Sequence, residues 1–158
     1  MQRIVPNLWF DTEALEAAEF YVSLFEDSKI IDVVNYGEAG PGEPGTVMVV
    51  SFQLLGQEYV AINGGPQFPF TEAVSFEVRC EDQAEIDRLW ETLTADGGQE
   101  VQCGWLKDKY GLSWQIVPTR WVELVTGPDQ AKVEAAMRAM LEMKKLDIAE
   151  LERAYAAG

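Results

Sequence analysis

The alternation of apolar and polar positions divides most of the chain into two stretches that read alike. Each begins with a short apolar strand, continues with an amphipathic helix and then gives strand-like segments. The first strand covers residues 4–10 and its helix ends at Phe25, while the second covers residues 73–80 and its helix ends near Ala95. This duplication predicts two βαβββ modules, and it places a cavity between them.

The segments after each helix are runs of β-branched and apolar residues bounded by turn residues. They cover residues 29–36, 46–54 and 57–63 in the first module, and residues 100–103, 105–107 and 112–117 in the second. Three glycines and two prolines follow Tyr36-Gly37, so residues 37–45 are predicted to form a loop. Such a loop either borders a binding site or is a plain surface connection.

The helix ends carry recognisable signals. Asp11 is placed to cap the first helix, and Asp82 with Glu85 forms a capping box at the start of the second. From Val122 the chain is predicted to be helical, with helices that follow Asp129 and Asp147. A methionine cluster in this tail is expected to pack in a core or an interface, and it consists of Met137, Met140 and Met143.

Composition and charge narrow the function classes. The 158 residues are 47% hydrophobic, and 27 acidic against 12 basic residues give a formal charge of −15. No basic stripe is available to displace counterions from phosphates, so no nucleic-acid partner is expected. No apolar window is long enough for a membrane span and no signal peptide is evident, so a cytoplasmic protein is expected. Cys80 and Cys103 lack CxxC spacing and are expected to pack as small hydrophobic residues.

The chain contains no histidine, which restricts catalysis. Ser-His-Asp and Cys-His mechanisms are excluded. Glu72, next to the first strand of the second module, is a candidate general base if desolvation raises its pKa. The alternative is a solvated carboxylate at the rim of the cavity.

Several motifs together resemble one family. They are Leu8-Trp9-Phe10-Asp11, Asn63-Gly64-Gly65-Pro66, Ala73-Val74-Ser75-Phe76, Glu81-Asp82-Gln83-Ala84-Glu85, the segments 103–108 and 111–118, and the tail segment 140–148. The chain resembles the PhnB-like branch of the vicinal oxygen chelate superfamily, which also contains glyoxalases, bleomycin-resistance proteins and extradiol dioxygenases. Members of this branch often carry the description 3-demethylubiquinone-9 3-methyltransferase.

The resemblance implies an α+β fold in which paired βαβββ modules form a U-shaped open sheet around a cavity, commonly in a homodimer. The modules are expected at residues 1–66 and 67–118, with a helical tail at 119–158. Superfamily enzymes generally bind a divalent metal in this cavity through His, Glu or Gln side chains, leaving coordination positions open for the substrate.

The metal ligands that the resemblance implies are poorly matched here. Gln115 stands where the superfamily often has a glutamate, Asn7 lies near the usual histidine position, and Gln67 follows the Gly-Gly-Pro turn. At the start of the second module, the position of another superfamily ligand, the chain offers Glu72 as its one carboxylate. Neutral amides with one carboxylate suit a hard cation weakly, so no cofactor is expected and a divalent metal is disfavoured. Neither Gly64-Gly65 nor Gly97-Gly98 follows the glycine pattern of a doubly wound nucleotide-binding sheet, which leaves methyl transfer unsupported.

Aromatic and amide side chains on the cavity strands are the candidate ligand contacts. Strand alternation sends half of such side chains inward, and the candidates are Asn7, Trp9, Asn63, Gln67, Trp105, Trp114 and Gln115. For each tryptophan the alternative is core packing. We therefore expect a cavity that binds a small apolar or aromatic molecule without a metal. The alternatives are a glyoxalase-type lyase, isomerase or dioxygenase, a methyltransferase, and a regulatory or interaction protein with a vestigial cavity.

Overall fold

A computed structural model describes all 158 residues and divides them into two compact units, Met1–Pro69 and Phe70–Gly158. Each unit contains one four-stranded sheet and the helix that follows its first strand. The chain is therefore of the predicted α+β class, with a βαβββ module in each unit and three further helices in the second.

The first unit is a sheet with one helix packed against it. Its elements are β1 (Asn7–Phe10), α1 (Ala14–Leu24), β2 (Lys29–Asn35), β3 (Val47–Leu54) and β4 (Gln57–Asn63). The strand order is β1-β4-β3-β2, with β1 parallel to β4 and the other pairs antiparallel. The core forms because α1 buries a stripe at helical spacing that includes Tyr21, whose ring lies 6.4 Å from that of Phe52 on β3.

Two predictions for the first unit are wrong in detail. The first strand begins at Asn7 rather than at residue 4, because Pro6 has no N–H and pairing with β4 starts at Asn7 and Val60. Asp11 does not cap α1: the N-cap is Glu13, which makes no side-chain cap. The Oδ1 of Asn63 instead accepts the N–H of Ala14 at 2.8 Å, so the cap comes from β4.

The second unit repeats the plan. Its elements are β5 (Ser75–Cys80), α2 (Gln83–Thr94), β6 (Gln99–Glu100), β7 (Trp105–Lys107) and β8 (Ser113–Pro118), in the order β5-β8-β7-β6. The predicted Asp82 cap is confirmed, since Asp82 Oδ1 accepts from the Glu85 N–H at 2.9 Å. Glu85 also reaches back as predicted, and its Oε2 accepts from the N–H of Glu81, one residue before the N-cap, at 2.9 Å. The strand predicted at residues 100–103 exists but its bounds are wrong: β6 covers only Gln99–Glu100, and the backbone turns at Cys103, where φ is 59°.

The tail contains α3 (Thr119–Val125), α4 (Gln130–Leu141) and α5 (Ile148–Ala157), so the helical region begins three residues before Val122. Asp129 and Asp147 are the N-caps of α4 and α5. Met140 and Met143 pack against a buried cluster formed by Leu124, Leu146 and Leu151. Gln83 of α2 fixes the tail, because its side chain donates to the Leu146 carbonyl and accepts from the Ile148 N–H. No helix in the chain has the length and apolar character that a membrane crossing requires.

Candidate functional site

The first unit contains a cavity of about 750 Å³ that opens to solvent and is lined by residues of that unit. Three segments form it: the start of α1, the loop between β2 and β3, and the end of β4 with the turn that follows. The lining residues are Asp11, Thr12, Leu15, Tyr36, Pro41, Gly42, Glu43, Thr46, Val47, Asn63, Gly64, Gly65 and Gln67.

Asn63, the last residue of β4, connects the three segments. Its Oδ1 accepts from Ala14 at 2.8 Å, its Nδ2 donates to the Val47 carbonyl at 3.1 Å, and its own carbonyl accepts from the Tyr36 hydroxyl at 2.6 Å. Each such bond contributes roughly 1 kcal/mol to stability. The cavity walls are therefore held in place before any ligand arrives.

The loop between β2 and β3 folds around Tyr36. The Tyr36 N–H donates to the Thr46 carbonyl at 2.8 Å, and the Gly45 N–H donates to the Tyr36 carbonyl at 2.9 Å. A Cβ on Gly42 would lie 2.3 Å from ring atoms of Tyr36, so only glycine allows this close approach. The glycine-rich composition is thus required where the loop packs on the ring.

The turn after β4 is held by Trp9 of β1. The Trp9 indole N–H donates to the Gly65 carbonyl at 2.9 Å, and a Cβ on Gly64 would lie 2.1 Å from the Trp9 ring. The side-chain amide of Gln67 is assigned with its nitrogen toward the turn, because only this orientation forms hydrogen bonds there. Its Nε2 then donates to the carbonyls of Gly64 and Gly65, at 3.1 and 3.3 Å. Trp9 therefore supports the turn from behind, while Gln67 lines the cavity.

Four of the predicted site residues lie in the first unit. Asn63 and Gln67 line the cavity, and Trp9 lies directly behind its glycine turn. Asn7 is exposed at the opposite end of β1, where its Nδ2 donates to the Val5 carbonyl at 3.0 Å. The structure brings the first three together and leaves Asn7 apart from them.

The other predicted contacts lie in the second unit, on β7 and β8. Trp105 and Gln115 are cross-strand partners, and the Gln115 amide donates to Ser75 Oγ at 2.9 Å. Trp114 is 1% exposed, and its indole N–H donates to Asp108 Oδ2 at 2.9 Å. Its ring also meets Phe76 edge-on at 5.3 Å. Trp114 is therefore packed in the core, which was the alternative for each tryptophan.

Glu72 lies at the surface and forms an ion pair with Lys107. The hydrogen bond from Lys107 lowers the pKa of the Glu72 carboxyl below its ordinary value, and a backbone hydrogen bond acts in the same direction. The general-base hypothesis requires a raised pKa, and the environment of this carboxylate produces the opposite shift.

The side chains do not form a group that fits a metal ion. No three His, Cys, Asp or Glu side chains gather closely enough in the chain to coordinate one. Of the ligands that the superfamily resemblance implies, Glu72 is paired with Lys107 and the Gln115 amide is bonded to Ser75. The residues present therefore do not fit the divalent centre implied by the resemblance.

Most of the cavity lining could not be identified from the sequence. The sequence pattern predicts a helix cap for Asp11, and it places Tyr36 and Thr46 at strand ends with no sign of a ligand-binding role. The only signal was the glycine- and proline-rich loop, for which bordering a binding site was one of two alternatives. The structure places Pro41, Gly42 and Glu43 of this loop in the cavity wall.

Comparisons with known proteins identify relatives of the chain. The family model described as 3-demethylubiquinone-9 3-methyltransferase matches residues 2–117. A solved Bacillus cereus protein, described as PhnB with that methyltransferase activity suggested for it, is 39% identical; the match covers 75% of this chain and all of the other, with a TM-score of 0.69.

Protein PA1353 from Pseudomonas aeruginosa shares the fold at 20% identity, with a TM-score of 0.60 and coverage of 75% and 98% of the two chains. A glyoxalase-related enzyme from Fulvimarina pelagi is 15% identical, with a TM-score of 0.47 and coverage of 75% and 90%. No curated protein matches the chain.

Proposed function

This chain belongs to the 3-demethylubiquinone-9 3-methyltransferase family, a PhnB-like branch of the vicinal oxygen chelate superfamily, and from this premise we propose that it binds a small molecule in the cavity of its first unit. The ligand has an apolar or aromatic part, and it is held without a catalytic metal.

The cavity itself is the observation that carries this proposal. Its volume of about 750 Å³ lies within the range of small-molecule sites. The lining combines apolar groups from Leu15, Tyr36 and Val47 with a few polar side chains, which is the usual composition of such sites. The hydrogen bonds of Asn63 fix the walls in advance, and this preorganisation favours affinity.

The metal-free part of the proposal is supported by the side chains. The chain lacks both histidine and a three-residue cluster of metal ligands. A metal-assisted lyase, isomerase or dioxygenase would need such a centre, and a Glu72-dependent reaction would need a carboxylate with a raised pKa. The residues present therefore favour ligand binding over metal-assisted or Glu72-dependent catalysis.

Methyl transfer is the second candidate, because the family description names it. A demethylubiquinone carries a flat benzoquinone head group on an apolar chain, and its apolar part falls within the proposed ligand class. The reaction also requires a methyl donor, so binding of S-adenosylmethionine would distinguish this candidate from simple sequestration.

Two substitutions at Thr46 test the proposed site. Thr46 lines the cavity, and its hydroxyl donates to the Glu43 carbonyl. Thr46→Ala and Thr46→Phe both remove this hydrogen bond, but only the second adds a ring that fills the cavity. We expect Thr46→Ala to retain affinity and Thr46→Phe to lose at least about tenfold, since binding must then displace a packed ring.

The measurement is a two-dimensional NMR titration of the full chain with 2-phenylethanol, 2-phenylethylamine, 3-phenylpropanoate and S-adenosylmethionine. Shifts confined to the amides of Thr12, Thr46, Gly64 and Gly65 are expected for bound probes. Equal binding by both Thr46 variants, or no shifts with any probe, would contradict the proposal.

We also propose that the protein assembles as a homodimer, as the family resemblance implies. Sedimentation velocity of the purified chain tests this, with a species near twice 17.7 kDa expected.

A further inference from the structure

The charged side chains in the cavity wall are all acidic. They are Asp11 at the start of α1 and Glu43 in the loop. The 69 residues of the first unit contain ten Asp and Glu residues but only two basic ones, Arg3 and Lys29, and neither of these lines the cavity. A concave site surrounded by charge of one sign concentrates ions of the opposite sign.

Both carboxylates are available to a ligand. Asp11 and Glu43 are exposed, and neither side chain forms an ion pair or a hydrogen bond within the protein. In the second unit, by contrast, several carboxylates are paired with a basic side chain of that unit, namely with Lys107, Arg120 and Lys145. The cavity therefore offers strong acceptors that no internal cation has neutralised.

Three side-chain hydrogen-bond donors in the cavity wall are, in contrast, already used. The Tyr36 hydroxyl, the Asn63 amide and the Gln67 amide all donate to backbone carbonyls. The first amide of α1 donates to Asn63, so it is not open to an anion. The N-terminal end of a helix carries only about half a positive charge, which two full carboxylate charges outweigh.

From these observations we infer that the ligand of this cavity is an organic cation: an apolar or aromatic body carrying an ammonium or guanidinium group. The inference rests on the proposed function and specifies its ligand. The apolar body lies against Leu15, Tyr36 and Val47, and the cationic group donates to the carboxylates of Asp11 and Glu43.

Three probes of similar shape and different charge test the inference. 2-Phenylethylamine is a cation at pH 7, 2-phenylethanol is neutral, and 3-phenylpropanoate is an anion. At low ionic strength we expect the amine to bind roughly three- to tenfold more tightly than the alcohol, and the anion to bind least. Raising the salt concentration should reduce the advantage of the amine and leave the alcohol unchanged.

Matched variants assign the effect to the cavity. Glu43→Gln and Asp11→Asn should each weaken amine binding roughly two- to fivefold without changing alcohol binding. Glu38→Gln is the control, because Glu38 is an exposed carboxylate in the same loop but is not part of the cavity wall. It removes the same charge and should leave the affinity for the amine nearly unchanged.

The possible results distinguish the cationic ligand class from the proposed small-molecule binding itself. If the alcohol or the anion shifts the cavity amides at least as strongly as the amine, the cationic ligand class is wrong while the binding function stands. If Glu38→Gln weakens amine binding as much as Glu43→Gln, the preference reflects net charge and not this site, which also overturns the inference. If no probe binds, both proposals fail.

Discussion

Single side chains that satisfy several backbone groups at once decide the local structure at two places. Asn63 holds the cavity walls through two side-chain hydrogen bonds to backbone groups, and its own carbonyl accepts a third from the Tyr36 hydroxyl. Asp108 does the same in the turn between β7 and β8, where Oδ1 accepts from the N–H groups of Tyr110 and Leu112 and Oδ2 accepts from the Trp114 indole. Asp108 is 2% exposed, so water cannot replace these bonds.

Replacing Asp108 by alanine should therefore lower the free energy of unfolding by roughly 2–4 kcal/mol, because three donors lose their acceptor and two of them are buried. Urea denaturation of the purified variant measures the loss. Glu91→Ala, at an exposed position of α2, serves as the control and should change stability by less than about 0.5 kcal/mol. A similar small change for both variants would show that the turn does not depend on Asp108.

The two cysteines differ in burial, and this should make them differ in reactivity. Burial raises the pKa of the Cys80 thiol to about 12, and the nearby carboxylate of Glu85 adds to the shift. A raised thiol pKa depletes the thiolate, which is the nucleophile, so Cys80 should be almost unreactive at pH 8. Cys103 is partly exposed.

Ellman's reagent at pH 8 should accordingly label one thiol per folded chain and two in urea. The single label should disappear in Cys103→Ser, which identifies its site. Rapid labelling of two thiols in the folded protein would contradict the buried position of Cys80.

At the scale of elements, the helix starts show what local signals can and cannot predict. The α2 cap was predicted correctly because Asp82 and Glu85 form all of its bonds within five residues of sequence. The start of α1 was predicted wrongly because its cap comes from Asn63, 49 residues away. Asp11 consequently keeps a free carboxylate, which the structure places in the cavity wall.

Substitutions at the N-caps of α2 and α4 test how much each cap contributes to stability. Asp82→Ala should lower the free energy of unfolding by about 1 kcal/mol, since the Glu85 N–H loses its acceptor. Asp129→Ala at the start of α4 is a matched comparison, and a smaller loss is expected because its cap bond is 3.4 Å long. Thermal or urea unfolding measures both, and a larger loss for Asp129→Ala would contradict the reasoning.

At the scale of the whole molecule, the repeated strand and helix pattern was sufficient to predict the α+β class and both βαβββ modules, because hydrophobic periodicity is local information. The strand bounds 57–63 and 105–107 were predicted correctly for the same reason. The cavity lining was mostly missed, since it assembles from α1, a loop and β4, which are distant in sequence. Strand alternation predicts which side chains face inward, but it does not predict which strands form the cavity. Of the candidate ligand contacts, only Asn63 and Gln67 therefore lie in the cavity wall.

The most direct test of the central claim is native mass spectrometry of the intact purified protein, combined with elemental analysis of the same sample. We predict no stoichiometric divalent metal, together with a small organic molecule that binds the native chain and Thr46→Ala but is lost from Thr46→Phe. Stoichiometric metal, or a bound molecule that Thr46→Phe retains undiminished, would contradict a metal-free binding site in the cavity of the first unit.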